Sequence, residues 1–114
     1  MNSKNLVVAI SANTMGAGSE ELGRILVKAF IYSLTELPNP PDVLILFNSG
    51  ACLASNESNT TDDLKSLEEK GTKILICGTC VNYYGLQGKL VVGTVSNMSE
   101  ITQMMADAAR LINI

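Results

Sequence analysis

Cys77 and Cys80 stand three positions apart in Cys77-Gly78-Thr79-Cys80, directly after the apolar run Lys73-Ile74-Leu75-Ile76. The run reads as a buried strand, and Gly78-Thr79 turns the chain into a short helix over Cys80 to Tyr84, stopped by Gly85. A thiol at that junction faces the amides of a helix N-terminus, which favour the thiolate, the reactive form. The competing reading makes Cys77 a small buried hydrophobe, a common fate of free cysteine. The C-x-x-C pairing tilts the balance towards chemistry. That chemistry must run without imidazole, because the chain has no histidine and so lacks the usual general base, pH switch and metal ligand.

Two familiar uses of paired cysteines fit poorly. A thioredoxin-type site needs a cis-proline facing the motif, and the prolines here, Pro38, Pro40 and Pro41, all sit in one loop. A closed zinc site needs four ligands, and only Cys52 remains beside the pair, so a partner chain or carboxylates would have to complete it. No metal and no cofactor are expected.

Three further turns are candidates for shaping a pocket. Asn13-Thr14-Met15-Gly16-Ala17-Gly18 lacks the Gly-Lys-Ser/Thr ending of a phosphate loop, and Glu21 stands where a dinucleotide fingerprint has its third glycine. It reads as a tight strand-to-helix connection, since Glu20 and Glu21 oppose an anion at the helix start. Asn48-Ser49-Gly50 and Asn97-Met98 are ordinary turn and cap residues when each is taken alone. In an open parallel sheet, however, every strand's carboxyl end points to one edge, where ligands bind. The expected pocket therefore gathers Asn13, Met15, Gly16, Gly18, Asn48, Ser49, Gly50, Gly78, Thr79, Asn97 and Met98 around Cys77 and Cys80.

The elements that must position these turns follow from apolar periodicity. Leu6 to Ile10 is a continuous, β-branched run that predicts a buried strand. Ser19 offers an N-cap, and Leu22, Ile25, Leu26, Ala29, Phe30 and Leu34 form the apolar stripe of a long helix closed by the prolines. Val43 to Phe47 predicts a second strand. A helix follows with Asp62 and Asp63 near its start, Leu64 and Leu67 inward, and Gly71 as its stop. Leu90 to Val92 is the expected fourth strand. Asn97 with Glu100 resembles a capping box before a last helix with the stripe Ile101, Met104, Met105, Ala108 and Ala109, and Leu111 to Ile114 adds a final strand. Strands apolar on both faces, alternating with helices, predict a parallel sheet between helix layers.

At 114 residues with 46 % hydrophobic content, the chain suits one domain, residues 1–114, with a core needing no staples. An odd count of three cysteines and a start, Met1 to Asn5, without a leader's apolar run point to a reducing, cytoplasmic compartment. A net charge of −3 with scattered basic residues argues against nucleic acid as a partner. No apolar stretch approaches the roughly 20 residues of a bilayer-spanning helix, so no membrane is expected.

The whole chain resembles the DsrE-like family, in particular the C-terminal domain of the YedF proteins associated with selenium metabolism. The matching pieces are Thr14-Met15-Gly16-x-Gly18 with Glu20-Glu21-Leu22-Gly23, Asn48-Ser49-Gly50, Cys77-Gly78-Thr79-Cys80-x-x-Tyr83-x-Gly85-Leu86 and Val92-Gly93-x-x-Ser96-Asn97-Met98. The resemblance implies a three-layer α/β/α fold with a five-stranded parallel sheet in the order 4-3-2-1-5, assembled as a homo-oligomer. In its sulfur-relay members a cysteine after the third strand accepts a persulfide and is followed by a glycine eight positions on, the spacing of Cys77 and Gly85. Many such members have no counterpart of Cys80. The YedF architecture also carries an N-terminal TusA-like domain that this sequence lacks, which implies a stand-alone relative or an excised domain.

The resulting expectation is a sulfur or selenium relay protein. Cys77 carries a persulfide or selenosulfide, Cys80 resolves it, and the partners are donor and acceptor proteins such as a TusA-like protein or a cysteine desulfurase. Such transfer suits a site without histidine, because one thiolate attacks and another leaves. The alternatives are a noncatalytic small-molecule-binding or assembly module, and a dithiol redox protein cycling a Cys77–Cys80 disulfide.

Overall fold

In the computed structural model, which describes residues 5–114, Leu6–Ile10 forms strand β1, buried at all five positions. The reading of the first residues as lacking a leader falls mainly on residues 1–4, outside the described ones. Helix α1 spans Glu20–Thr35, with the Ser19 hydroxyl accepting the Leu22 amide at 3.1 Å and two glutamates in its first turn. Strand β2 is Val43–Leu46, followed by a 3-10 segment over Asn48–Ala54. Helix α2 spans Thr61–Glu69 and ends where Gly71, at φ +104°, lets Thr72 N–H return to the Leu67 carbonyl at 3.0 Å. Strand β3 (Lys73–Cys77), helix α3 (Gly78–Tyr83), strand β4 (Thr94–Ser96), helix α4 (Met98–Ala106) and strand β5 (Arg110–Asn113) complete the described chain.

The five strands are all parallel, in the order β4-β3-β2-β1-β5, as the family resemblance implies. Strand alternation divides the core between two faces. Val8, Ile10, Leu44, Leu46, Ile74 and Ile76 pack against α1, α2 and the 3-10 segment, while Val7, Ala9, Val43, Ile45, Leu75 and Cys77 pack against Ile101 of α4. The handedness of crossovers explains this division. β1 to β2 and β2 to β3 step the same way along the sheet, so right-handed connections put α1 and α2 on one face; β4 to β5 steps back beyond β1, so α4 lies on the other.

Two expectations need correction. The buried stripe of α1 is Gly23, Val27, Ile31, Leu34 and Thr35, whereas Leu22, Ile25 and Leu26 are 52 %, 59 % and 42 % exposed. The cause is Gly23, where an added Cβ would lie 2.7 Å from Thr14 Cβ, and whose carbonyl accepts Met15 N–H at 2.9 Å. Only a glycine lets the helix pack this closely on the turn before it, and that contact sets its rotation. The fourth strand is Thr94–Ser96, paired with Leu75 to Cys77, and not Leu90 to Val92. Leu90 makes a single antiparallel bridge to Ser55, Val92 is buried, and Gly93 at φ +84° turns the chain tightly over Ile74 and Ile76 onto the edge of β3. Smaller shifts move the short helix to start at Gly78 and the last strand to start at Arg110.

Candidate functional site

The carboxyl ends of β1, β2 and β3 are drawn together by close backbone approach. A Cβ added to Gly50 would sit 2.3 Å from the Ile10 carbonyl oxygen, so glycine is required where the 3-10 segment crosses the end of β1. The neighbouring Ser49 hydroxyl accepts the Asn13 amide at 3.1 Å, tying the turn after β1 to that after β2. Asn48 takes a left-handed backbone, φ +52°, which asparagine tolerates better than most residues. In that conformation its amide donates to Cys80 Sγ at 3.0 Å, and its side-chain oxygen accepts the Tyr84 hydroxyl at 2.9 Å. Tyr84 in turn meets Tyr83 edge to face with ring centroids 5.0 Å apart.

Cys77 caps α3 but makes no side-chain capping hydrogen bond, so the expected contact with the helix amides is not formed. It lies 2 % exposed among Val7, Ala9, Ile45 and Leu75. Cys80, half-buried, packs against the core on both faces of the sheet, including the cluster that holds Cys77. Burial raises the Cys80 pKa, the Cys77 thiol adds to this, and the Asn48 amide pulls the other way by stabilising the thiolate. All three cysteines are free thiols. A buried thiol beside a more accessible one can exchange a sulfur atom with it without any third group.

The remaining expected residues divide. Gly78 packs against β4, where an added Cβ would lie 3.0 Å from the Ser96 carbonyl, and Asn97 caps α4 by accepting Glu100 N–H at 2.8 Å. Ser96, rather than the Asn97 backbone, bonds the Glu100 carboxylate, so the cap is one-sided. Thr79 is exposed beside the thiols. Met15 packs on the core of the α1 face, Gly16 and Gly18 turn in open space at positive φ, and Met98 faces a shallow depression with Thr102 and Gln103. Among the described residues, none of these four hydrogen-bonds to either thiol, whereas Asn48 does.

Sequence reasoning also missed a cleft of about 810 Å³ between the start of α1 and the 52–59 segment. Of the expected residues only Asn13 lines it; Cys52, Arg24, Lys28 and Glu57 do as well. Burial raises the Cys52 pKa against its own backbone amide, and the Glu57 carboxylate raises it further. The one available signal was position, since Cys52 lies two residues beyond the Asn48-Ser49-Gly50 turn on the same sheet edge. Among the described residues no group of three His, Cys, Asp or Glu side chains is placed to hold a metal ion, and no helix is long and apolar enough to cross a membrane.

A parallel five-stranded sheet between helix layers, with a thiol pair at its carboxyl edge, defines the class of protein. The profile of the DsrE/DsrF-like family matches residues 1–114, and the chain belongs to that family, which is associated with sulfur relay. Similar solved structures are the ychN protein from E. coli (TM-score 0.71, 20 % identity, 97 % of this chain and 98 % of that one) and a protein of unknown function, MTH1491, from Methanobacterium thermoautotrophicum (0.69, 16 %, 96 % and 98 %). A conserved protein of unknown function, BT1422, from Bacteroides thetaiotaomicron is also similar (TM-score 0.64, 13 % identity, 100 % and 98 % covered). At these identities the likeness shows the shared fold. No curated protein matches the chain significantly.

Proposed function

We propose that this chain is a sulfur or selenium carrier that stores a persulfide or selenosulfide on Cys77, with Cys80 as the thiol through which the cargo enters and leaves. The observation that carries the reading is the pair itself: Cys77 is 2 % exposed, and Cys80, packed against the same core cluster, is the accessible one. A Cys80 thiolate attacks the outer sulfur of a donor persulfide and expels the donor thiolate. Cys77 then attacks the same sulfur, Cys80 leaves and takes the proton that Cys77 gives up, and no net oxidation occurs.

The YedF-like motif from Cys77 to Leu86 supports this assignment and keeps selenium as a possible cargo. A TusA-like protein or a cysteine desulfurase has the chemistry of donor or acceptor. The exposed row Leu22, Ile25 and Leu26 on α1 supports self-association.

Incubation with a cysteine desulfurase and labelled cysteine, followed by peptide mapping without reductant, tests the roles. Cys77→Ser is expected to lose most of the final label, and Cys80→Ser to fill at least tenfold more slowly. Full final labelling of Cys77→Ser would overturn the storage role, and an unlabelled wild type the whole reading. The shared packing of the two thiols also favours a dithiol redox cycle, which predicts instead a reversible Cys77–Cys80 disulfide with reductase turnover.

A further inference from the structure

The three thiols form a row across the carboxyl edge of the sheet. Cys77 packs with the α4-side core, Cys80 with both cores, and Cys52 with the α1-side core. The 3-10 segment links the last two, because its first residue, Asn48, touches Cys80 Sγ through its amide and Cys52 follows four residues later. At about 2 Å of rise per residue, those two positions on the segment are about 8 Å apart along its axis.

Cys52 differs from the other two in what it faces. It lines the cleft of about 810 Å³, a size typical of small-molecule sites. The lining carries charges of both signs: Arg24 and Lys28 on one helix, with Glu21 and Glu57. Arg24 is held by Glu20 at 2.7 Å and Lys28 by Asp63 at 2.7 Å, so the cleft as a whole is not an anion trap. Alternating charge beside a thiol suits a small zwitterion that itself bears a thiol.

Building on the carrier function proposed above, we propose that Cys52 is a third station, which takes the sulfane sulfur from Cys80 and hands it to a low-molecular-weight, zwitterionic thiol of the cysteine or glutathione class bound in the cleft. The Cys52 thiolate attacks the outer sulfur of the Cys80 persulfide, the bond from that sulfur to Cys80 breaks, and Cys80 leaves as thiolate and picks up the proton that Cys52 released. The small thiolate repeats the attack at Cys52 and departs as a persulfide. Each step exchanges one S–S bond for another, with no oxidant required.

Tryptic cleavage separates the stations, since residues 29–65 contain Cys52 and residues 74–89 contain Cys77 and Cys80. The full chain is charged by a desulfurase with labelled cysteine, freed of both, and sampled with time before and after addition of unlabelled cysteine. Label is expected first on 74–89 and then on 29–65, and Cys52→Ser should charge 74–89 normally but release label to cysteine at least tenfold more slowly. Cys52→Ala, checked for native circular dichroism, should repeat the slow release. Release at the wild-type rate from either variant overturns the inference, as does labelling of Cys52 at an undiminished rate in Cys80→Ser. Those results leave the carrier reading standing, whereas a wild-type 74–89 peptide that never charges removes both.

Discussion

Replacing Gly50 by alanine tests whether the crossing of the 3-10 segment over β1 sets up the thiol site. The new Cβ would lie 2.3 Å from the Ile10 carbonyl oxygen and 3.3 Å from the Ala12 nitrogen. Carbon–oxygen contacts of this kind normally close to about 3.3 Å, so the segment must move by about 1 Å. Both sides are backbone, so no side chain can rotate away. Overpacking of this sort costs about 1–3 kcal/mol. The displacement also loosens the Asn13–Ser49 hydrogen bond, worth about 1 kcal/mol. A total near 3 kcal/mol, set against an unfolding entropy of about 2.1 cal/mol/K per residue over 114 residues, lowers Tm by roughly 12 °C. Thermal melting followed by circular dichroism measures it. The same shift pulls the Asn48 amide off Cys80 Sγ, now 3.0 Å away, so iodoacetamide should modify Cys80 at an altered rate when read on the 74–89 peptide. A Tm within about 3 °C of the wild type would refute the steric argument. A large Tm loss with unchanged Cys80 reactivity would refute the link between the crossing and the thiol.

Stability should also fall at alkaline pH. In the unfolded chain a cysteine ionises near pH 8.5, whereas burial raises the pKa of Cys52 and Cys80 in the fold. The folded state then holds more protons between the two values, so their contribution is complete below about pH 8.5 and is lost as pH rises through the folded pKa values. Urea midpoints across pH 7 to 10 should decline less steeply in a Cys52→Ser, Cys80→Ser double variant, and identical slopes would count against raised thiols. Removing the α4 cap by Asn97→Ala should cost about 1 kcal/mol, because its side-chain oxygen accepts the Glu100 amide at 2.8 Å. An unchanged urea midpoint would mean the cap contributes nothing.

The layering and the thiol pair were legible because each rests on local pattern or on a motif of fixed spacing, and the strand order came only from the family resemblance. Apolar runs of five residues bounded by glycine-rich turns read as buried strands whatever surrounds them, as Leu6–Ile10 shows. The rotation of α1 was not legible, since the helix carries two apolar stripes and the choice between them depends on Gly23 fitting against Thr14. β4 escaped because a three-residue edge strand, Thr94-Val95-Ser96, has no apolar run, and the apolar run before it buries Val92 without pairing as a strand. At the site, Asn48 was read as a turn residue, but its amide reaching Cys80 requires a left-handed backbone and a contact between residues 32 apart in sequence. Cys52 was weighed only as a metal ligand. Its cleft arises from the packing of α1 against the segment after β2, which no periodicity encodes.

The most direct test of the carrier account is the sulfur content of the 74–89 peptide after incubation of the wild-type chain with a cysteine desulfurase and labelled cysteine, alkylated and digested without reductant. The account predicts one labelled sulfur held on Cys77 and discharged when an acceptor thiol is added. A peptide that stays unlabelled, or that yields only a Cys77–Cys80 disulfide, would contradict it.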